Sequence, residues 1–202
     1  MFMMSGRARQ PSRVQIRQSG FTLIEVLIAI LVLLFGLLGL AGVQVRATQA
    51  EFESYQRKQA FLLLQDMVDR IQANRLRAVC YALTSASTGS PYAGTGAGTL
   101  PTCGLGAGLD ELVAQNDLSA WSTALLGAAE VQSGNQIGAM LGARGCVTND
   151  GGGVYTVSVA WQGMSPTAAP PTGLKCGTGQ YGSDDALRRV VSATLQVSTL
   201  YP

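Results

Sequence analysis

Ser19-Gly20-Phe21-Thr22-Leu23-Ile24-Glu25-Val26-Leu27-Ile28-Ala29 decides how this chain is read. One carboxylate, Glu25, stands in an apolar run that carries no other formal charge before Arg46. An ionisable group at the centre of a membrane helix costs about 2.5–3.5 kcal/mol, so it is kept where it has a function and a partner. Residues 21–45 make 25 positions. As a helix they reach about 37 Å at 1.5 Å per residue, enough to span a bilayer. The run is longer than the apolar core of an ordinary secretory signal, and no Ala-x-Ala cut follows it, so a retained anchor is expected. Residues 1–20 hold Arg7, Arg9, Arg13 and Arg17 and no acid. That asymmetry keeps this end in the cytoplasm and exports the rest. The small residues Ser19 and Gly20 just before Phe21, after a basic segment, suggest a cut site.

Cleavage after Gly20 makes Phe21 a new N-terminus, with Glu25 one helical turn further on. The new amine is then a cation close to the carboxylate. In a helical stack of such chains, Glu25 of one subunit pairs with the Phe21 amine of a neighbour, which offsets the desolvation of both charges. The alternative is that Glu25, only about 6 Å from the helix end, snorkels to the headgroups. Gly36, Gly39 and Gly42 recur every third residue. They either let membrane helices approach closely or reflect the ordinary tolerance of such spans for glycine.

The stretch Gly20-Phe21-Thr22-Leu23-Ile24-Glu25-Val26-Leu27-Ile28-Ala29, after a basic leader, resembles the class III signal of type IV pilins and pseudopilins. The resemblance implies that a prepilin peptidase in the membrane cuts after Gly20 on the cytoplasmic face and methylates the Phe21 amine. It implies that Glu25 directs assembly into a filament. The partners it implies are other major and minor pilins along the N-terminal helix, the inner-membrane pilus assembly machinery and the inner membrane itself. The implied location is a single pass through the inner membrane with a periplasmic C-terminal domain, then the pilus. Major pilins of this family often carry a proline near the place taken here by Gly42.

Composition narrows the chemistry. The chain has 202 residues and a formal charge of +2. Without the four leader arginines, ten basic and twelve acidic side chains remain, a net of −2. No basic stripe marks a nucleic-acid partner. There is no histidine, which removes histidine-based triads, metal ligands and general bases. No cofactor and no metal are expected. The four cysteines, Cys80, Cys103, Cys146 and Cys176, form no Cys-x-x-Cys pair. An even count in an exported domain favours two disulfides over free buried thiols, with three connectivities open. Sequential pairing, Cys80 with Cys103 and Cys146 with Cys176, closes the shortest loops and is the expected one.

Residues 44–81 contain no proline or glycine and are rich in helix formers. The expectation is a helix continuous with the membrane span, some sixty residues long. Leu64, Val68, Ile71 and Ala78 recur on one face, widened by Leu63 and Met67. A sheet from the C-terminal half is the natural cover for that stripe. Glu51, Glu53, Arg57 and Lys58 read as a solvated face or as contacts between subunits. Residues 84–108 are dense in Gly, Ser, Thr, Ala and Pro, a loop tied back by Cys103. Their glycine repeats lack the strand, helix and lysine that phosphate binding requires. In residues 109–126, Asn116 or Asp117 is expected to cap a short helix carrying Leu118, Trp121 and Leu125.

Tyr155, Val157, Val159 and Trp161 alternate with Thr156, Ser158 and Ala160, the period of a half-buried strand. Asn149-Asp150-Gly151-Gly152-Gly153 reads as a turn, with residues 145–148 as hairpin partner. Val191, Ala193, Leu195 and Val197 mark a second strand. Residues 163–182 form a Pro/Gly-rich excursion that a Cys146–Cys176 bridge would pin. Arg144-Gly145-Cys146, then residues 154–163 and Cys176, resemble the PilV type of minor pilin. The expected fold is α+β and pilin-like: a long N-terminal helix packed on a C-terminal antiparallel sheet. The expected division is a leader at 1–20, a transmembrane half-helix at 21–45, an amphipathic half-helix at 46–81 and a globular domain at 82–202. The functional expectation is a minor pilin supporting pilus biogenesis, adhesion or twitching. A pseudopilin of type II secretion or DNA uptake is the alternative. A membrane-anchored periplasmic enzyme using Asp110, Glu111, Asp184 or Asp185 is a distant one.

Overall fold

A computed structural model of the chain describes residues 20–104, 108–127, 131–132, 135–136 and 140–198. Apart from Gly20, the expected leader lies outside the described residues. The chain divides into two units, Met1–Arg46 and Ala47–Pro202. In the first, the described chain is almost wholly the opening of helix α1 (Leu23–Ala73), exposed throughout and apolar apart from Glu25, Gln44 and Arg46. By length and composition α1 is able to cross a membrane.

The second unit sets the remainder of α1 and helix α2 (Leu109–Leu125) on one face of a sheet. The sheet order is β1 (Ala93–Gly94), β4 (Arg144–Asn149), β5 (Val154–Gln162), β6 (Arg188–Gln196). All its pairings are antiparallel. Strands β2 (Val131–Gln132) and β3 (Asn135–Gln136) form a separate small ladder. This is the α+β, pilin-like architecture expected from the sequence.

The period of two in β5 sorts its core-facing residues, but the strand is not half-buried: Ser158 and Ala160 on the opposite face are buried too, beneath the excursion that follows β5. Tyr155, Val157, Val159 and Trp161 are buried in a core shared with Ala60, Leu64, Met67, Val68 and Ile71 of α1. Burying an aliphatic side chain of this size contributes about 1.5–3 kcal/mol. Asn149 to Gly153 form the β4–β5 turn. Gly151 and Gly153 take positive φ there, and the Asn149 and Asp150 side chains accept from the backbone N–H groups of Gly151 and Gly152.

Two expectations about helix ends need correcting. The long helix stops at Ala73, and a 3-10 segment, Arg75–Tyr81, follows it. At Asn74 the backbone leaves helical geometry (φ −115°, ψ 44°). The Asn74 amide instead donates to the Asp110 carbonyl at 2.8 Å, a tertiary bond that no glycine or proline announces. The second helix starts at Leu109, behind an extended Gly108 that offers no side-chain cap. Asp110 and Glu111 in its first turn suit the positive end of the helix dipole. Asp117, expected as a cap, therefore lies inside α2. It accepts from Arg70 Nη1 at 2.7 Å and from the Tyr81 hydroxyl, tying α2 to α1 and to the 3-10 segment.

Trp121 completes this junction. Its ring is fully buried and its indole N–H donates to the Leu63 carbonyl of α1 at 2.8 Å. On the other side it presses on Gly145 of β4. A Cβ there would overlap the Trp121 ring and come within 2.6 Å of Leu125 Cδ1. Gly145 is required for close approach rather than for its backbone angles.

The disulfides join Cys80 to Cys103 and Cys146 to Cys176. The second fastens the excursion after β5, and two buried arginines organise that excursion from inside. Arg188 Nη1 donates to the carbonyls of Leu174 (2.6 Å) and Cys176 (3.1 Å), while its Nε lies 3.2 Å from Asp185 Oδ2. The Arg144 guanidinium lies between two rings, 5.2 Å from the Tyr92 centroid and 4.9 Å from that of Tyr181. The Tyr181 hydroxyl donates to the Gly142 carbonyl at 2.7 Å. Burial pushes Tyr181 up to about 12, against the opposing pull of Arg144. Burial, and then the hydrogen bond to Asp117, raise Tyr81 as well.

Two outcomes follow. Gly145→Ala should lower stability by about 1–3 kcal/mol through overpacking, read as a lower midpoint in thermal unfolding of the full chain in detergent. Tyr81 and Tyr181 hold their protons more tightly folded than unfolded. The stability this gives is complete below the ordinary tyrosine value of about 10 and is lost as pH rises through the folded values. Midpoints measured from pH 8 to 12 should therefore fall above about pH 10, and more gently in Tyr181→Phe.

Candidate functional site

Gly20, Phe21 and Thr22 precede the first helical residue and carry no regular structure. Helix α1 opens on the Thr22 carbonyl, which accepts from the N–H groups of Glu25 (3.1 Å) and Val26 (3.3 Å). Phe21 is 84 % exposed, and a Cβ added at Gly20 would meet nothing within 4 Å. The Gly20–Phe21 peptide is thus exposed, non-helical backbone one turn before Glu25.

Glu25 lies in the first turn of α1. A carboxylate is favoured there because the first N–H groups of a helix point outward without partners. Its side chain is exposed and has no hydrogen-bond or ion-pair partner among the described residues. Gly20, Phe21 and Glu25 therefore form one short linear element: an exposed glycine, an exposed aromatic, and an acid one turn on. Thr22, whose carbonyl starts the helix, joins them. Its place directly before the first helical turn was the signal for that role.

The other candidate residues do not gather with it or with one another. Asp110 and Glu111 are in the first turn of α2. Asp184 and Asp185 lie between the excursion and β6, where they hold backbone. Asp184 Oδ1 accepts from Ala186 N–H, and Asp185 Oδ1 from Gly179 N–H. Among the described residues no three His, Cys, Asp or Glu side chains come together in a way that would hold a metal ion. The four cysteines stand in their two disulfides, both within the second unit.

Residues 16–41 match the family described as the prokaryotic N-terminal methylation motif. Residues 42–104 match the family described as type IV pilin Tt1218. No curated protein and no solved structure matches the chain. The two family matches adjoin at residue 42, inside α1, and cover the methylation motif, the helix and the first disulfide. Together they support the type IV pilin family and a structural subunit of pilin or pseudopilin kind.

Proposed function

We propose that the chain is a minor pilin of the PilV type, an assembly subunit of a type IV pilus that supports biogenesis, adhesion or twitching. The observation that carries this is the linear element at the head of α1. An exposed, non-helical Gly20-Phe21 peptide stands one turn before Glu25, on a helix of membrane-spanning composition. The methylation-motif match over residues 16–41 supports the same reading. In this proposal residues 1–20 are the leader and stay cytoplasmic, residues 21–45 span the inner membrane, and the domain after them is periplasmic until assembly. A prepilin peptidase removes the leader and methylates the Phe21 amine. Glu25 then pairs with the Phe21 amine of a neighbouring pilin.

The pairing explains why a carboxylate is tolerated at this depth. Neither charge is stable alone in lipid, and each satisfies the other only when two subunits stand in register. The acid thus makes correct docking the state of lowest cost. The two family matches equally suit a pseudopilin of type II secretion or DNA uptake. A deletion separates the readings: lost piliation against lost secretion of folded enzymes or lost uptake.

Mass spectrometry of protein from cells with a working peptidase should find a methylated Phe21 at the N-terminus. Glu25→Val should be processed normally yet fall about a hundredfold in sheared filaments, the effect of leaving a buried charge unpaired at about 3 kcal/mol. An intact leader, or undiminished incorporation of the variant, overturns the proposal.

A further inference from the structure

The sheet treats its two edges differently. The β4 edge is closed by the chain that leads from the first disulfide region. β1 pairs Ala93 and Gly94 with Gly145 and Arg144. Before it, Thr84 N–H donates to the Val147 carbonyl and Thr84 Oγ1 accepts from Val147 N–H. After it, Thr95 N–H donates to the Ala143 carbonyl.

The β6 edge has no such cover among the described residues. The bonds Gly163 N–H to Leu187 O and Val197 N–H to Gly153 O fix the phase of the β5–β6 ladder at both ends. In an antiparallel pair the hydrogen-bonded positions alternate. The odd residues of β6 therefore bond to β5, and the N–H and C=O groups of Val190, Ser192, Thr194 and Gln196 point outward. A nine-residue edge without proline, glycine or bulge is a template for another strand, and proteins that avoid such pairing place charge or proline along it. From Val190 to Gln196 this edge carries neither.

Helix α1 and the 3-10 segment after it supply a lip along the same edge. Arg57 lines a cleft with Trp161 and Arg189 at the start of β6, and Gln72 and Arg75 line a second cleft with Gln196 and Val197 at its end. Between them Phe61, one turn after Arg57, is half exposed. Glu53 in the first cleft is already engaged, 3.6 Å from Arg189 and accepting from Met164 N–H. Arg57 and Arg75 are exposed and have no ion-pair partner among the described residues. The lip is thus cationic at both ends and apolar in the middle.

We infer that the β6 edge is a strand-addition site for an extended segment of another protein, apolar at its centre and acidic at both ends. The segment pairs its backbone with the outward groups at positions 190–196, and its terminal carboxylates meet Arg57 and Arg75. About eight residues span the distance at 3.3 Å per residue. Main-chain bonds give such a site its affinity, and the flanking side chains give it direction and selectivity. The inference does not depend on which kind of filament or pseudofilament the chain enters.

The test uses the full chain in detergent and a fluorescent peptide of alternating Val and Thr with two Glu at each end. Its counterpart carries Lys in place of Glu. Fluorescence anisotropy should show the acidic peptide bound at least tenfold more tightly than the basic one. Ser192→Pro removes one outward N–H while sparing the β5 ladder, and should weaken binding tenfold or more. Ser192→Ala keeps the N–H and should bind normally. The double substitution Arg57→Glu with Arg75→Glu, which leaves the sheet untouched, should reverse the preference between the peptides. This arm stands even if Ser192→Pro fails to fold. Absence of binding, equal binding of the two peptides, or binding indifferent to a folded Ser192→Pro variant overturns the proposal. So does a peptide-free dimer that Ser192→Pro dissolves, which would assign the edge to a second copy of this chain.

Discussion

Trp121 has one place to be, and the second unit is built around it. Its indole N–H is committed to the Leu63 carbonyl of α1, and its ring fills the space that the missing Cβ of Gly145 leaves on β4. A buried indole donor without a partner costs about as much as a lost hydrogen bond, so the carbonyl fixes the depth of α2 between helix and sheet. The polar bonds of Asp117 to Arg70 and Tyr81, one turn earlier, fix its rotation. Apolar contact alone would let α2 slide; these directional bonds hold it at one setting.

Elements whose signal is local were legible in the sequence. The head of α1 was readable because charge, apolar length and a small residue ahead of the helix lie within one short stretch. Strands β5 and β6 were readable because their core-facing apolar residues recur at every second position, although the outer face of β5 is covered as well at Ser158 and Ala160. The end of α1 was not, because Asn74 leaves the helix for a bond to Asp110, thirty-six residues away. The start of α2 misled for the same reason: Asp117 looks like a cap locally and is an anchor tertiarily. Nor does the stretch around Thr84 look like sheet, since it is polar and glycine-rich. It closes the β4 edge only because Val147 offers it a ladder. Arg144 and Arg188 carried no local signal at all. A buried arginine is intelligible only once the carbonyls and rings around it are known.

The two faces of the sheet divide the labour. The inner face takes the two helices and nearly all the apolar burial. The outer face holds a smaller cluster, Cys146, Ala160, Cys176 and Tyr181, under the excursion. That cluster is too small to order some twenty residues of glycine- and proline-rich chain by apolar contact. The excursion's own turns are supplemented by charge-assisted bonds from Arg188 and Arg189 of β6 to the carbonyls of Leu174, Cys176 and Ser165. The excursion is thus an extension of β4 and β6 through their side chains, and its shape is tied to the register of those strands.

The Cys146–Cys176 bridge has a consequence for wear. The cystine encloses all of β5 and the first half of the exposed excursion. A protease that nicks the chain between residues 163 and 175 separates nothing. The severed ends part, yet β6 stays fastened to β4 through sulfur, and the clipped subunit remains a single covalent body wherever the surroundings are oxidising.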